Sequence, residues 1–320
     1  VPLDGFFGLH PLLKDLEPAW KEGELAIVHG AGSEDVTRSH FEAQDLMEHG
    51  GIAAGGWLGR FLRGRPPGMS GALACVAVGK TLPECLLGAP TATVMQSLDA
   101  FSLGASAPEL RHALQTLYAL EQDHLGAAAR DTFDALTRID AMRSTPYQPD
   151  HGAVYGTDAF SEGLRQIARL IKSNVGLEAA SIDLDGWDSH FTQGTVIEPR
   201  LGWLGQGLAA FRRDLGARMR STTLVVMTEF GRRVAENASF GTDHGRGSVM
   251  FVLGGGVRGG RVHGPWRGLQ HDFLEGPGDL PVVNNYRDVL APVLLRHGAT
   301  AESLIRVFPN FALQPLPLYA

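Results

Sequence analysis

A single α/β domain with a largely parallel central sheet is the fold the sequence predicts, and three observations carry that prediction. Short apolar runs recur at 25–30, 72–78, 179–184, 223–229 and 249–253, each the length of a strand. Segments with helical apolar spacing separate most of them. The alternation extends through a chain of 320 residues, 44% hydrophobic and 20% charged. A chain of that length and composition can bury a large core, and strands joined through helices lie parallel with helices on both faces.

The elements follow in order. Residues 10–23 read as a helix, with Leu12, Leu13, Leu16 and Trp20 on one face and Gly23 stopping it. Strand 25–30 comes next, then a polar turn at Ser33, Glu34 and Asp35. A second helix starts near Ser39, where Ser39-His40-Phe41-Glu42 has the spacing of a capping box. After strand 72–78, residues 107–175 are mostly helical and read as an insertion or cap on the domain. Leu110, Leu114 and Leu117 step around one helix, Leu164, Ile167, Ile171 and Val175 around another, with a loop at 144–149 between them. The clearest helix covers 196–219, where Ile197, Leu201, Leu204, Leu208, Phe211 and Leu215 alternate steps of four and three. The glycine run 254–260 lacks the Gly-Lys-Ser/Thr ending of a phosphate loop and reads as a hairpin or tight turn.

Composition excludes some functions. The net charge is −7 and no block of Lys and Arg dominates, so nucleic acid is not the expected partner. No apolar run is long enough to span a bilayer. Cys75 and Cys85 do not make a disulfide framework, and composition is compatible with one short bridge or two reduced thiols.

Candidate chemistry gathers where strands end. Asp188 and His190 lie two apart in a loop that contains Gly186, with Asp183 and Asp185 just before them. Glu229 closes strand 223–229, and Asp243-His244 follows in a glycine-flanked loop. Carboxylates and imidazoles at the carboxyl ends of strands suit a hard or borderline cation. Arg232 and Arg233 offer Glu229 an alternative partner. Thr37, Ser39 and His40 sit at a helix start, where free amides favour an anion and can lower a nucleophile's pKa. His40 fits a base, a ligand or a packing residue, and Ser39 fits a simple cap.

These residues together resemble the DUF1501 family. The resemblance lies in Phe7-Gly8-Leu9-His10-Pro11, in the segment from Thr37 to Asp45, in Gly186-Trp187-Asp188-Ser189-His190 and in Glu229-Phe230-Gly231-Arg232. Asp243-His244, the glycine run and Tyr286-Arg287-Asp288-Val289-Leu290 extend it over nearly the whole chain, in order. It implies the alkaline phosphatase and sulfatase superfamily, a three-layer α/β/α sandwich, and divalent metals at strand ends. It also implies a twin-arginine export signal upstream, hence a periplasmic or secreted protein, and a leading strand with a metal-binding aspartate before Val1.

On that pattern Asp188, His190, Glu229, Asp243 and His244 form the metal shell, with Asp183 as an alternative ligand. Ser39 or Thr37 attacks a phosphate or sulfate ester, with His40 nearby, and Arg38 or Arg232 holds the anionic oxygens. Zinc suits the His-carboxylate mixture best, and calcium, magnesium and manganese also fit. Two departures matter: Phe230 stands where those hydrolases carry a histidine after the acidic residue, and the sequence from Val1 onward does not include that leading strand. Together they favour a competing expectation, a non-catalytic exported binding or secretion-associated protein that keeps the fold.

Overall fold

The computed structural model describes residues 1–65, 71–103 and 107–319. Its elements in chain order are α1 (Glu17–Lys21), β1 (Leu25–Gly32), α2 (His40–His49), α3 (Trp57–Arg63), β2 (Cys75–Val78), β3 (Thr93–Met95), α4 (Ala107–Ala119) and α5 (His124–Arg143). They continue with α6 (Ala159–Lys172), β4 (Ala179–Ile182), α7 (Gln193–Leu215), β5 (Thr223–Val226), β6 (Ser248–Gly254), β7 (Arg261–His263), β8 (Asn284–Asn285), α8 (Tyr286–Arg296) and α9 (Ala301–Val307).

The α/β class expected from the alternating pattern is what folds, but the strands form two sheets. The larger runs β5-β6-β1-β7, with β8 also on β1, and the smaller runs β3-β2-β4. All pairs in the smaller sheet are parallel, as expected. In the larger one, β6 is antiparallel to both β1 and β5, while β7 and β8 run parallel to β1. The reason lies in residues 227–247. They form loops rather than a crossover helix, so the chain turns back on itself and β6 returns antiparallel. The glycine run opens with a turn at Gly255-Gly256 but makes no hairpin, because β6 and β7 flank β1 on opposite sides.

Every residue of β1 is buried, which is why it reads as a continuous apolar run rather than an alternating one. Ala26, Val28, Met250 and Val252 pack on Tyr286, Val289, Leu290 and Val293 of α8. Leu25, Ile27, Phe251 and Leu253 face the other way, onto Leu164 and Ile167 of α6 and Leu204, Leu208 and Phe211 of α7. Each fully buried Leu, Ile, Val or Phe contributes about 1.5–3 kcal/mol. The smaller sheet lends residues to these same cores, Cys75 and Ala77 to the first and Ala180 and Ile182 to the second. Within the helical stretch, α6 belongs to the second core, and α5 contributes Ala135 and Ile139 to a third beside β2.

Local corrections have physical causes. Residues 10–23 split into a 3-10 turn, Pro11–Leu16, and α1. Strand 223–229 ends at Val226 and strand 179–184 at Ile182, so Glu229 and Asp183 lie in loops beyond the strands. Ser39 occupies the N-cap position of α2 but makes no side-chain capping bond, so the expected capping box does not form. Instead the Thr37 hydroxyl accepts from the Ser39 amide at 3.1 Å.

Candidate metal centre

The loops after β4 and β5 and the start of α2 meet at one point. The segment 189–193 pairs backbone-to-backbone with 239–242, through Thr242 N to Ser189 O and Gln193 N to Phe240 O. Both glycines around Thr242-Asp243-His244 are required by close approach. A Cβ at Gly241 would stand 2.2 Å from the His190 carbonyl carbon, and one at Gly245 would stand 2.6 Å from that of Arg232.

His40, His190 and His244 are brought together there, each held by its Nδ1. That of His40 bonds Glu229 Oε1 at 2.8 Å, that of His190 bonds Asp243 Oδ1 at 3.1 Å, and that of His244 bonds the Arg38 carbonyl at 2.8 Å. A carbonyl or an ionised carboxylate only accepts, so each Nδ1 carries a proton, and a neutral ring held in this way would leave its Nε2 free for a metal ion. All three Nε2 atoms face Asp188: His190 at 3.1 Å and His244 at 3.2 Å from Oδ1, and His40 at 3.6 Å from Oδ2. The Nε2 atoms of His190 and His244 are 3.0 Å apart, and that of His40 is buried with no hydrogen-bond partner.

Lone pairs aimed at one another this closely repel unless a proton or cation lies between them. Donors around zinc at about 2.0–2.1 Å would stand about 3.3 Å apart, close to the 3.0–3.2 Å separations among Asp188 Oδ1, His190 Nε2 and His244 Nε2. His40, Asp188 and His244 can hold a metal ion, and His190 Nε2 reaches two of them. Asp188 and His190 are 47% and 40% exposed, so a small molecule can reach the group.

Electrostatics keeps the carboxylates charged. Burial alone would raise the Asp188 carboxyl, but hydrogen bonds from Arg232 and His244 and the charge of His190 outweigh it and hold the group at about 2. Hydrogen bonds from Asn237 and His190 lower Asp243 below the usual carboxylate range.

The remaining candidates take different places from those expected. Glu229 and Asp243 orient histidines rather than joining Asp188 among the converging atoms, an arrangement that fixes tautomer and ring orientation in metal sites. Asp183 lies apart with Glu48 and Asp185, where burial first, and then those like charges, raise its pKa. The Arg38 guanidinium is committed to Asp279, with Nε at 3.0 Å, and only its carbonyl serves the histidine group. Arg232 Nη1 bonds Asp188 Oδ1 at 2.7 Å, and its Nε bonds the Thr242 hydroxyl at 3.2 Å. Thr37 donates its hydroxyl to Asp35 at 3.0 Å in an exposed turn. Phe230 is buried with its ring 4.9 Å from His40 and 4.8 Å from His244, an apolar wall behind two imidazoles. Both cysteines are free thiols, pushed up to about 12 by burial, and so are not thiolates at neutral pH.

Several contributors escape a sequence reading. Asn237 Nδ2 donates to the His190 carbonyl at 2.8 Å and to Asp243 at 3.1 Å. Gln193 accepts from the Thr242 hydroxyl at 2.6 Å. Neither has a local motif. Arg38 adopts φ 57, a left-handed conformation costing about 1–3 kcal/mol for a residue with a side chain.

The fold and the site together define an α/β protein with a candidate histidine-carboxylate metal centre. The chain belongs to the DUF1501 family, a protein of unknown function, whose model matches residues 27–306 and so includes all of the site. No curated protein and no solved structure matches the chain.

Proposed function

We propose that this chain is a metal-dependent hydrolase of phosphate or sulfate esters on an alkaline phosphatase-like α/β/α sandwich. The observation that carries the reading is the convergence of three Nε2 atoms on Asp188, with every Nδ1 tied to an acceptor. His40, His190, His244 and Asp188 hold the ion, and zinc suits three imidazoles and a carboxylate better than calcium, magnesium or manganese. A divalent ion there supplies Lewis acidity toward the ester oxygen and an acidified water. Glu229 and Asp243 hold their histidines in the ligand tautomer. Arg232, already at the site through Asp188, binds the anionic oxygens of the ester. Ser39 is the hydroxyl nucleophile beside His40, since Thr37 is spent on Asp35. The family resemblance supports the superfamily, and with it export to the periplasm or beyond.

Phe230 supports a second reading, a non-catalytic metal-binding relative, because the wall it makes removes one ligand position. Metal content after purification without chelators, joined to turnover of 4-nitrophenyl phosphate and 4-nitrophenyl sulfate, separates the two. The hydrolase predicts one equivalent of zinc, lost in His190→Ala and His244→Ala, and turnover abolished in Ser39→Ala. Zinc without turnover of either ester leaves the second reading standing, and no metal at all refutes both.

A further inference from the structure

Asp279 is buried to 0% exposure on a loop that no motif marks. One of its oxygens, Oδ2, accepts from Arg38 Nε at 3.0 Å and also from Arg38 Nη2. The other, Oδ1, faces Arg233 Nε at 3.8 Å, and neither of those two atoms has a hydrogen-bond partner. Each arginine leads to a different histidine. The Arg38 carbonyl holds His244 Nδ1 at 2.8 Å. Arg233 Nη1 reaches Asp243 Oδ2 at 3.3 Å, and Asp243 Oδ1 holds His190 Nδ1 at 3.1 Å. Backbone bonds hold the main chain that carries the carboxylate, since Asp279 and Glu275 exchange amide-carbonyl bonds at 2.9 Å and Val234 N bonds Gly278 O at 3.0 Å.

We propose that Asp279 is a positioning residue for the metal centre, acting through Arg38 on His244 and through Arg233 and Asp243 on His190. The left-handed Arg38 is the mechanical link. At φ 57 its carbonyl turns toward the imidazole while its side chain runs to Asp279. A non-glycine residue keeps that conformation only where its surroundings over-determine it, and the buried ion pair is what does so here. One carboxylate thus stands behind two of the three histidines, without touching the ion.

This inference rests on the metal-centre reading and is tested on the intact chain with zinc and with cobalt(II) as a spectroscopic substitute. Asp279→Asn keeps the shape and removes the charge. It is expected to weaken zinc 10–100-fold, the range for lost outer partners of metal ligands, and to alter the visible cobalt absorption that reports ligand geometry. Arg38→Gly tolerates the left-handed backbone and keeps the carbonyl but cuts the tether, so it should weaken zinc in the same direction even if Asp279→Asn fails to fold. Wild-type affinity and an unchanged cobalt spectrum in a folded Asp279→Asn or Arg38→Gly protein overturn the proposal and leave the metal centre intact. A wild-type protein that binds no zinc overturns the metal centre and the proposal with it.

Discussion

Glu229→Gln isolates the orientation of His40 from every other feature of the centre. In the native protein Glu229 Oε1 accepts from His40 Nδ1 at 2.8 Å, and Oε2 accepts from the Thr228 hydroxyl at 2.6 Å. A hydrogen bond to a charged acceptor contributes about 1.5–3 kcal/mol and a neutral one about 0.5–1.5 kcal/mol. Replacing carboxylate by amide therefore removes about 1–1.5 kcal/mol of preference for the Nδ1-protonated ring, and about 1.4 kcal/mol is a tenfold change in an equilibrium constant. Zinc affinity should fall about tenfold. It should fall further, toward a hundredfold, if the glutamine turns its NH2 to Nδ1 and so moves the ring proton onto Nε2. Competition against a chromophoric chelator at neutral pH measures the affinity, and circular dichroism on the same samples shows that the fold persists. A wild-type protein that binds zinc and a folded Glu229→Gln variant that binds it equally well would refute the reasoning.

Other substitutions probe the supports of the site. Gly241→Ala places a Cβ 2.2 Å from the His190 carbonyl carbon, so backbone must shift; thermal unfolding should show a loss of about 1–3 kcal/mol, and zinc affinity should fall with it. A melting temperature matching wild type would contradict this. Asp214 is buried and accepts from the Tyr147 and Tyr155 hydroxyls, the Asp150 amide and Lys172 Nζ. Burial pushes its carboxyl up, but those bonds outweigh it and hold the group below its ordinary value. A folded-state pKa below the unfolded value of about 3.9 means the stabilisation is full above that pH and fades as pH falls below it. Asp214→Asn should cost about 3–5 kcal/mol at neutral pH and flatten the acid limb of a urea-stability profile; an acid limb unchanged in the variant would show that the group titrates normally.

Much of the scaffold was legible because it depends on neighbours in the chain. The strand at 25–30 and the helix whose apolar residues run from Leu201 to Leu215 appear where their local patterns place them. So do the Asp-Ser-His and Thr-Asp-His-Gly clusters, since a carboxylate and an imidazole in a loop after a strand are local features too. The direction of β6 was not legible, because an apolar run carries no sign of which way its partner runs. The capping box at Ser39 matched by spacing and failed by geometry, since the preceding turn takes the Ser39 amide for the Thr37 hydroxyl.

What the sequence determined by itself is the α/β class, encoded in periodicity, the family, encoded in its motifs, and the loops that hold the candidate residues, encoded in short-range spacing. Only the tertiary structure decided which atoms meet. His40 and Glu229 are 189 residues apart, His190 and His244 are 54 apart, and Arg38 and Asp279 are 241 apart. Which carboxylate faces the imidazole Nε2 atoms, which ones hold the Nδ1 protons and which arginine lends its carbonyl instead of its charge all depend on loops converging from four places in the chain. Residue spacing along a single segment contains no record of that convergence.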